Sequence, residues 1–218
     1  MKNLKTLSQL TCAAMIMLAG SASAGVIGSS TTPVVILDGT TAAPKTVQST
    51  LNITAHGNLN ALTVSIAATH TWIGDLTYIL SHGGTSVKLM DRPGTTSTAV
   101  GEDANLSAAR PLTFSDVAGL PAAETVGAGC FTNDTVGVGA ACVNTAYLSH
   151  QALSAFAGMD MIGDWTLSIT DSSAEDTGTL AGWSLSNADA TGQVPEPGML
   201  ALLGLAMSGM FAARRRKM

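Results

Sequence analysis

Hydrophobic residues in the middle of the chain alternate with polar ones at every second position. Leu62, Val64, Ile66 and Ala68 alternate with Thr63, Ser65 and Ala67. Leu76, Tyr78 and Leu80 continue the pattern, and Val87 and Leu89 resume it after Gly83-Gly84. Trp165, Leu167 and Ile169 alternate with Thr166, Ser168 and Thr170, and Trp183 and Leu185 follow Gly178 and Gly182. A period of two places alternate side chains on opposite faces of a strand, so each run predicts a half-buried β-strand bounded by turn residues. Many short strands at this spacing argue for a sandwich or jelly roll. No helical period is sustained in the interior; Leu148 to Met161 is the one stretch that could be partly helical.

The two ends break this pattern. Lys2 and Lys5 precede an apolar stretch from Leu10 to Gly20, too short to span a bilayer, and Ser21-Ala22-Ser23-Ala24 supplies small residues for cleavage. These parts read as a signal peptide over 1–24, a signal helix that delivers the chain to the secretion translocon and leaves Gly25 as the new N-terminus. Cys12 lies within the apolar part and no cysteine follows the cut, so a lipid-anchored form is not expected. At the other end, Pro195-Glu196-Pro197 precedes an apolar run from Gly198 to Ala213 and then Arg214, Arg215, Arg216 and Lys217. As a helix that run measures about 24 Å, slightly short of a hydrocarbon core of about 30 Å. The basic cluster belongs on the cytoplasmic side, and the prolines keep Pro-Glu-Pro out of the helix, exposed beside the membrane where a protease could reach it.

Charge follows the same division. Residues 25–194 hold Lys45, Lys88, Arg92 and Arg110 against fourteen carboxylates, a formal charge of −10. So acidic a domain repels nucleic acid and anionic lipid, which excludes a nucleic-acid partner, and it tolerates divalent cations. Solubility alone also accounts for the charge. The 23 glycines and the abundance of Thr, Ser and Val fit strands and turns. Cys130 and Cys142 remain after export, and in an oxidising compartment they read as a disulfide closing about a dozen residues, worth ~3 kcal/mol. Zinc is a poor alternative, because no histidine stands at finger-like spacing from the two thiols.

Pro195-Glu196-Pro197, the apolar run and the basic tip together resemble the PEP-CTERM sorting signal, over 194–218. That resemblance implies export in a Gram-negative bacterium with an exopolysaccharide-rich envelope. It further implies a transient inner-membrane anchor and processing by an exosortase-type enzyme. A plain tail anchor shares the topology but leaves Pro-Glu-Pro unexplained.

A second resemblance rests on two stretches. One is Thr69-His70-Thr71-Trp72-Ile73-Gly74-Asp75-Leu76, running on to Arg92-Pro93-Gly94. The other is Gly163-Asp164-Trp165-Thr166-Leu167 through Asp171, then Gly178 and Gly182-Trp183-Ser184-Leu185. Together they resemble the P domain of proprotein convertases, and Phe114-Ser115-Asp116 stands where that family often carries a Phe-x-Asp element. The resemblance implies a jelly-roll-like β-sandwich over 47–190, with 25–46 as an N-terminal extension. It implies a role in stabilising or assisting a catalytic domain, or in attachment; no catalytic domain precedes it here, which puts the assisting role in question.

The chemistry is sparse. No Gly-x-Ser-x-Gly elbow, His-Glu-x-x-His helix or phosphate-binding Gly-Lys-Ser/Thr loop appears. His56, His70, His82 and His150 are dispersed, and His70 reads as a hydrogen-bonded structural histidine. Asp75, Asp116, Asp171 and Asp176 are oxygen ligands of the hard type that calcium prefers, so they stand as candidate ligands of a structural calcium. A solvated acidic loop is the plainer reading of 171–176. Trp165 and Trp183 read as core pillars rather than sugar platforms, and Trp72 as the more exposed tryptophan. The chain is therefore expected to be an all-β, non-enzymatic protein of the cell surface or matrix, bound to exopolysaccharide or assisting a separately encoded secreted hydrolase.

Overall fold

A computed structural model describes residues 25–97, 101–130, 134–138, 142 and 144–188. The signal peptide and the sorting signal, with the helix expected in each, lie outside the described residues. Among the described residues no helix is long and apolar enough to cross a membrane. Ten strands form two sheets: β1 (Gly25–Ser30), β2 (Val34–Ile36), β3 (Lys45–Ile53), β4 (Leu62–His70), β5 (Leu76–His82), β6 (Thr85–Asp91), β7 (Leu112–Ser115), β8 (Ala146–Leu148), β9 (Gly163–Asp171) and β10 (Gly178–Asn187). The larger sheet runs β1-β10-β4-β7-β8 with β2 also on β10, and the smaller runs β3-β9-β5-β6. All pairings are antiparallel except β7 with β8.

Every strand read from the alternation is present, and the apolar half of each pattern faces inward. Val64, Ile66, Leu80, Leu89, Leu167, Ile169 and Leu185 are buried between the sheets. Trp165 anchors the centre: its ring stacks flat on His82 with centroids 4.0 Å apart and meets Phe156 at 5.2 Å. Its indole N–H donates to Met161 O, while that of Trp183 donates to Ser49 Oγ from the facing sheet. Both are core tryptophans, satisfied at their polar tips as buried indoles require. Trp72 is only half-buried, but its indole nitrogen lies inside and lacks a hydrogen-bond partner.

Residues 25–46, expected as an extension, hold β1 and β2, and both pair with β10 along one edge of the larger sheet. The stretch 148–161 contains one 3-10 turn, Leu153–Phe156, rather than an α-helix. Gly163 has φ +113°, where a side chain would be strained. Gly74 is glycine for a different reason: a Cβ there would stand 2.6 Å from Glu102 N and 2.7 Å from Gly101 Cα.

Candidate functional site

The family-like motif around His70 and Asp75 comes together with Asp171 at one end of the sandwich. His70 closes β4, Asp171 closes β9, and Asp75 ends the short 3-10 turn Ile73–Asp75 that leads into β5. All three are at most 2% exposed. His70 Nε2 lies 3.1 Å from Asp171 Oδ2, and its Nδ1 lies 2.8 Å from Trp72 O. Asp171 Oδ1 accepts from Ser173 N at 3.0 Å. Both ring nitrogens of His70 are thus engaged by the protein, which leaves neither to face a substrate. The group is a polar strut that ties strand ends of both sheets.

Burial pushes the Asp75 carboxyl up to about 7, with the negative charges of Asp171 and Asp176 adding to the rise and Arg92 and the Ser173 hydroxyl opposing it. Arg92 donates from Nε to Gly74 O, beside Thr95 Oγ1 on the same carbonyl. Asp176 accepts from Thr71 Oγ1 at 2.6 Å, which closes the loop 172–177 onto the end of β4.

The expected calcium site is not assembled. Asp75, Asp171 and Asp176 share one end of the sandwich, but Asp116 stands at the other. It follows β7, where Phe114 pairs with Val64 near the start of β4, whereas His70 ends that strand. Asp116 accepts from Leu153 N, Ser154 N and Ser149 Oγ, so its oxygens cap the Leu153–Phe156 turn. Among the described residues no group of three His, Cys, Asp or Glu side chains is placed to hold a metal. Spacing along a chain cannot show at which end of a strand a loop emerges, and here that decides the matter.

The four histidines stay apart, each with its own partners. His56 Nδ1 lies 2.7 Å from Asp160 Oδ2 at the surface, and His150 pairs with Glu124. The Asp160 carboxyl is held down to about 2 by His56 and by the Gly57 and Ile162 amides. His82, buried against Trp165, points Nδ1 and Nε2 at the carbonyl oxygens of Asp164 and Asp160, 3.0 and 2.8 Å away. Sequence reasoning missed this clamp; the only sign of it was a polar residue at an inward position of the alternation. Asn187, also missed, ties β10 to the β3–β4 loop through Asn60 N, Ala61 N and Asn58 O.

Cys130 and Cys142 form a disulfide, with Cα atoms 4.9 Å apart. A cavity of about 180 Å³ lies beside Asp116, lined by Asn60, Leu62, Thr63, Val117 and Ser154, with no titratable partner converging on it.

Residues 193–217 match the PEP-CTERM protein-sorting motif, and residues 138–187 match the proprotein convertase P-domain. The latter span takes in β8, β9 and β10. No curated protein matches the chain. Among solved structures, the crystal structure of a serine protease of Aeromonas sobria aligns at 15% identity and a TM-score of 0.34. It covers 72% of this chain and 27% of that one. The complex of the Aeromonas sobria serine protease (ASP) with the chaperone ORF2 aligns at 14% and 0.33, again over 72% and 27%. The chain thus spans about a quarter of the length of the solved chains it aligns with. It carries a PEP-CTERM sorting motif behind a domain with a proprotein convertase P-domain match, and the motif marks it as an exported protein of the cell envelope processed by an exosortase.

Proposed function

We propose that the chain is a non-enzymatic binding module of the cell surface or extracellular matrix, a jelly-roll-like sandwich whose ligand is exopolysaccharide. The observation that carries this reading is the sorting motif at 193–217. The domain ahead of it supports the non-enzymatic half, because its histidines and its buried carboxylates are engaged within the fold. The signal peptide and the tail act in sequence: export, a transient anchor with the basic tip inside, then processing near Pro195-Glu196-Pro197. Fractionating the producing cells and measuring the intact mass tests the route. A protein lacking 1–24 and everything beyond the Pro-Glu-Pro region, found in the envelope or matrix and retained on extracted polysaccharide, is the expected result. A mass that keeps the apolar tail in the inner membrane overturns it.

The P-domain match favours a second reading, a module assisting a separately encoded secreted protease or other hydrolase. Co-purification with such an enzyme, together with no retention on polysaccharide, selects that reading over the first.

A further inference from the structure

The outward face of the smaller sheet is built, apart from Ile79, from the polar half of the same alternation that builds the core. In register across β3, β9 and β5 stand Thr46, Thr170 and Thr77; then Gln48, Ser168 and Ile79; then Thr50, Thr166 and Ser81. Neighbouring strands lie about 4.8 Å apart, and alternate residues along a strand about 6.7 Å apart, so these groups form a regular lattice. Cross-strand bonds order it. Thr46 and Thr170 hydroxyls are 2.8 Å apart, and Thr50 and Thr166 hydroxyls 3.3 Å. Gln48 Nε2 donates to Ser168 Oγ at 3.1 Å, and on β6 Ser86 shares a 2.8 Å bond with Ser81.

The charge on this face is unusual for so acidic a domain. Ordinary solvent-facing strands are kept soluble by charged side chains. Here the lattice has charge only at its margin, where Lys88 pairs with Asp91, and Asp164 accepts from Asn52. Other carboxylates stand instead in loops at the ends of the strands, as Glu175 and Asp176 do. The face is neutral while the molecule around it is not. Each hydroxyl keeps donor or acceptor capacity after its cross-strand bond, and in the hydroxyl–hydroxyl pairs the direction can reverse. Such a face matches groups that both donate and accept, as sugar hydroxyls do, and its hydroxyls carry no charge to pair with an ionised group. Threonine is stiff at χ1 and these side chains are already tied to one another, so little rotamer freedom is lost on contact.

We propose that the outward face of β3, β9 and β5 is the docking surface for a neutral polysaccharide, lying extended across the hydroxyl lattice. This rests on the exopolysaccharide reading above and assigns it a surface and a ligand charge. The outer face of the larger sheet, around Ser65 and Ser184, also carries small hydroxyls but not this ordered set of cross-strand side-chain bonds, and it serves as the internal control.

The test uses the exported protein purified from producing cells and two probes: the neutral and the anionic fractions of polysaccharide extracted from the matrix and separated on an anion exchanger. Expected is retention on the neutral fraction. It should fall at least tenfold in a Thr50→Val, Thr166→Val, Ser168→Ala variant of unchanged melting temperature, and stay unchanged in Ser65→Ala, Ser184→Ala. Valine keeps the strand propensity of threonine and its shape while deleting the hydroxyl. Should the triple variant fold poorly, amide shift changes in the unsubstituted protein on adding the neutral fraction locate the contact. Shifts on β3, β9 and β5 support the proposal, and shifts confined to β4 and β10 overturn it. Retention unaltered by the triple variant, or retention on the anionic fraction alone, overturns the assigned face while the polysaccharide reading stands. No retention on either fraction overturns both.

Discussion

Asp75 sits where water barely reaches it, with two other carboxylates nearby and one guanidinium to oppose them. Its carboxyl titrates near 7 in the folded chain, against 3.8 when free. Between those values folding takes up a proton, so stability falls as pH rises through that window, by up to about 1.4 kcal/mol per pH unit. The contribution is complete below about pH 4 and gone above about pH 7. Asp75→Asn should therefore flatten the melting temperature between pH 4 and 7, matching the wild type at pH 4 and exceeding it at pH 8. An unchanged slope would mean that Asp75 is already ionised at low pH. The pattern of polar and apolar positions gave no hint of this, because the groups that surround Asp75 come from residues 92 and 171–176.

At the scale of elements, three devices hold segments that make few strand bonds of their own. The Cys130–Cys142 disulfide closes a sequence separation of 12. Replacing both cysteines by serine should cost about 3 kcal/mol and lower the melting temperature by roughly 6–12 °C in thermal unfolding. Asp116 caps the Leu153–Phe156 turn from outside, so Asp116→Ala should cost about 1 kcal/mol, as for a lost helix cap. Hydrogen exchange in that variant should quicken at Leu153 and Ser154, the two amides it releases. His82 restrains the next loop. Its ring contacts two carbonyls, which only accept, so both become hydrogen bonds when the ring carries both protons. His82→Phe keeps the stack on Trp165 but loses both contacts, and should raise exchange across 157–163 while leaving β9 protected.

For the whole molecule, the topology sets which end faces which way. Gly25 pairs with Asn187, and Asn187 with Leu62, so the start of the exported domain and the base of the tail leave side by side. The sorting motif begins at residue 193, within about 20 Å of extended chain from Ala188. The His70–Asp171 strut lies at the far end of β4, about 27 Å away. Before processing, that end should point away from the membrane. In a tail-retaining Pro195→Ala, Glu196→Ala variant, a fluorophore at position 58 should be quenched by a headgroup-borne quencher more strongly than one at position 173. Equal quenching would mean that the domain lies on its side.

Much of this architecture was legible in the chain. Strands declare themselves by a period of two because burial of one face is local to each strand, so β4, β5, β6, β9 and β10 and the inward tryptophans could be read directly. The sorting motif was legible for a similar reason, since its prolines, apolar run and basic tip act as a continuous segment. β1 and β2 were not, because Gly25–Ser30 is mostly small residues and Val34–Ile36 is too short to show a period. Only the tertiary structure decided which acidic residues meet. Asp75 and Asp171 are brought together by the pairing of β5 with β9, while Asp116 is carried to the opposite end by β7. The hydroxyl lattice is a case between the two: its residues are the polar half of a visible alternation, but their cross-strand register exists only once β3, β9 and β5 are paired.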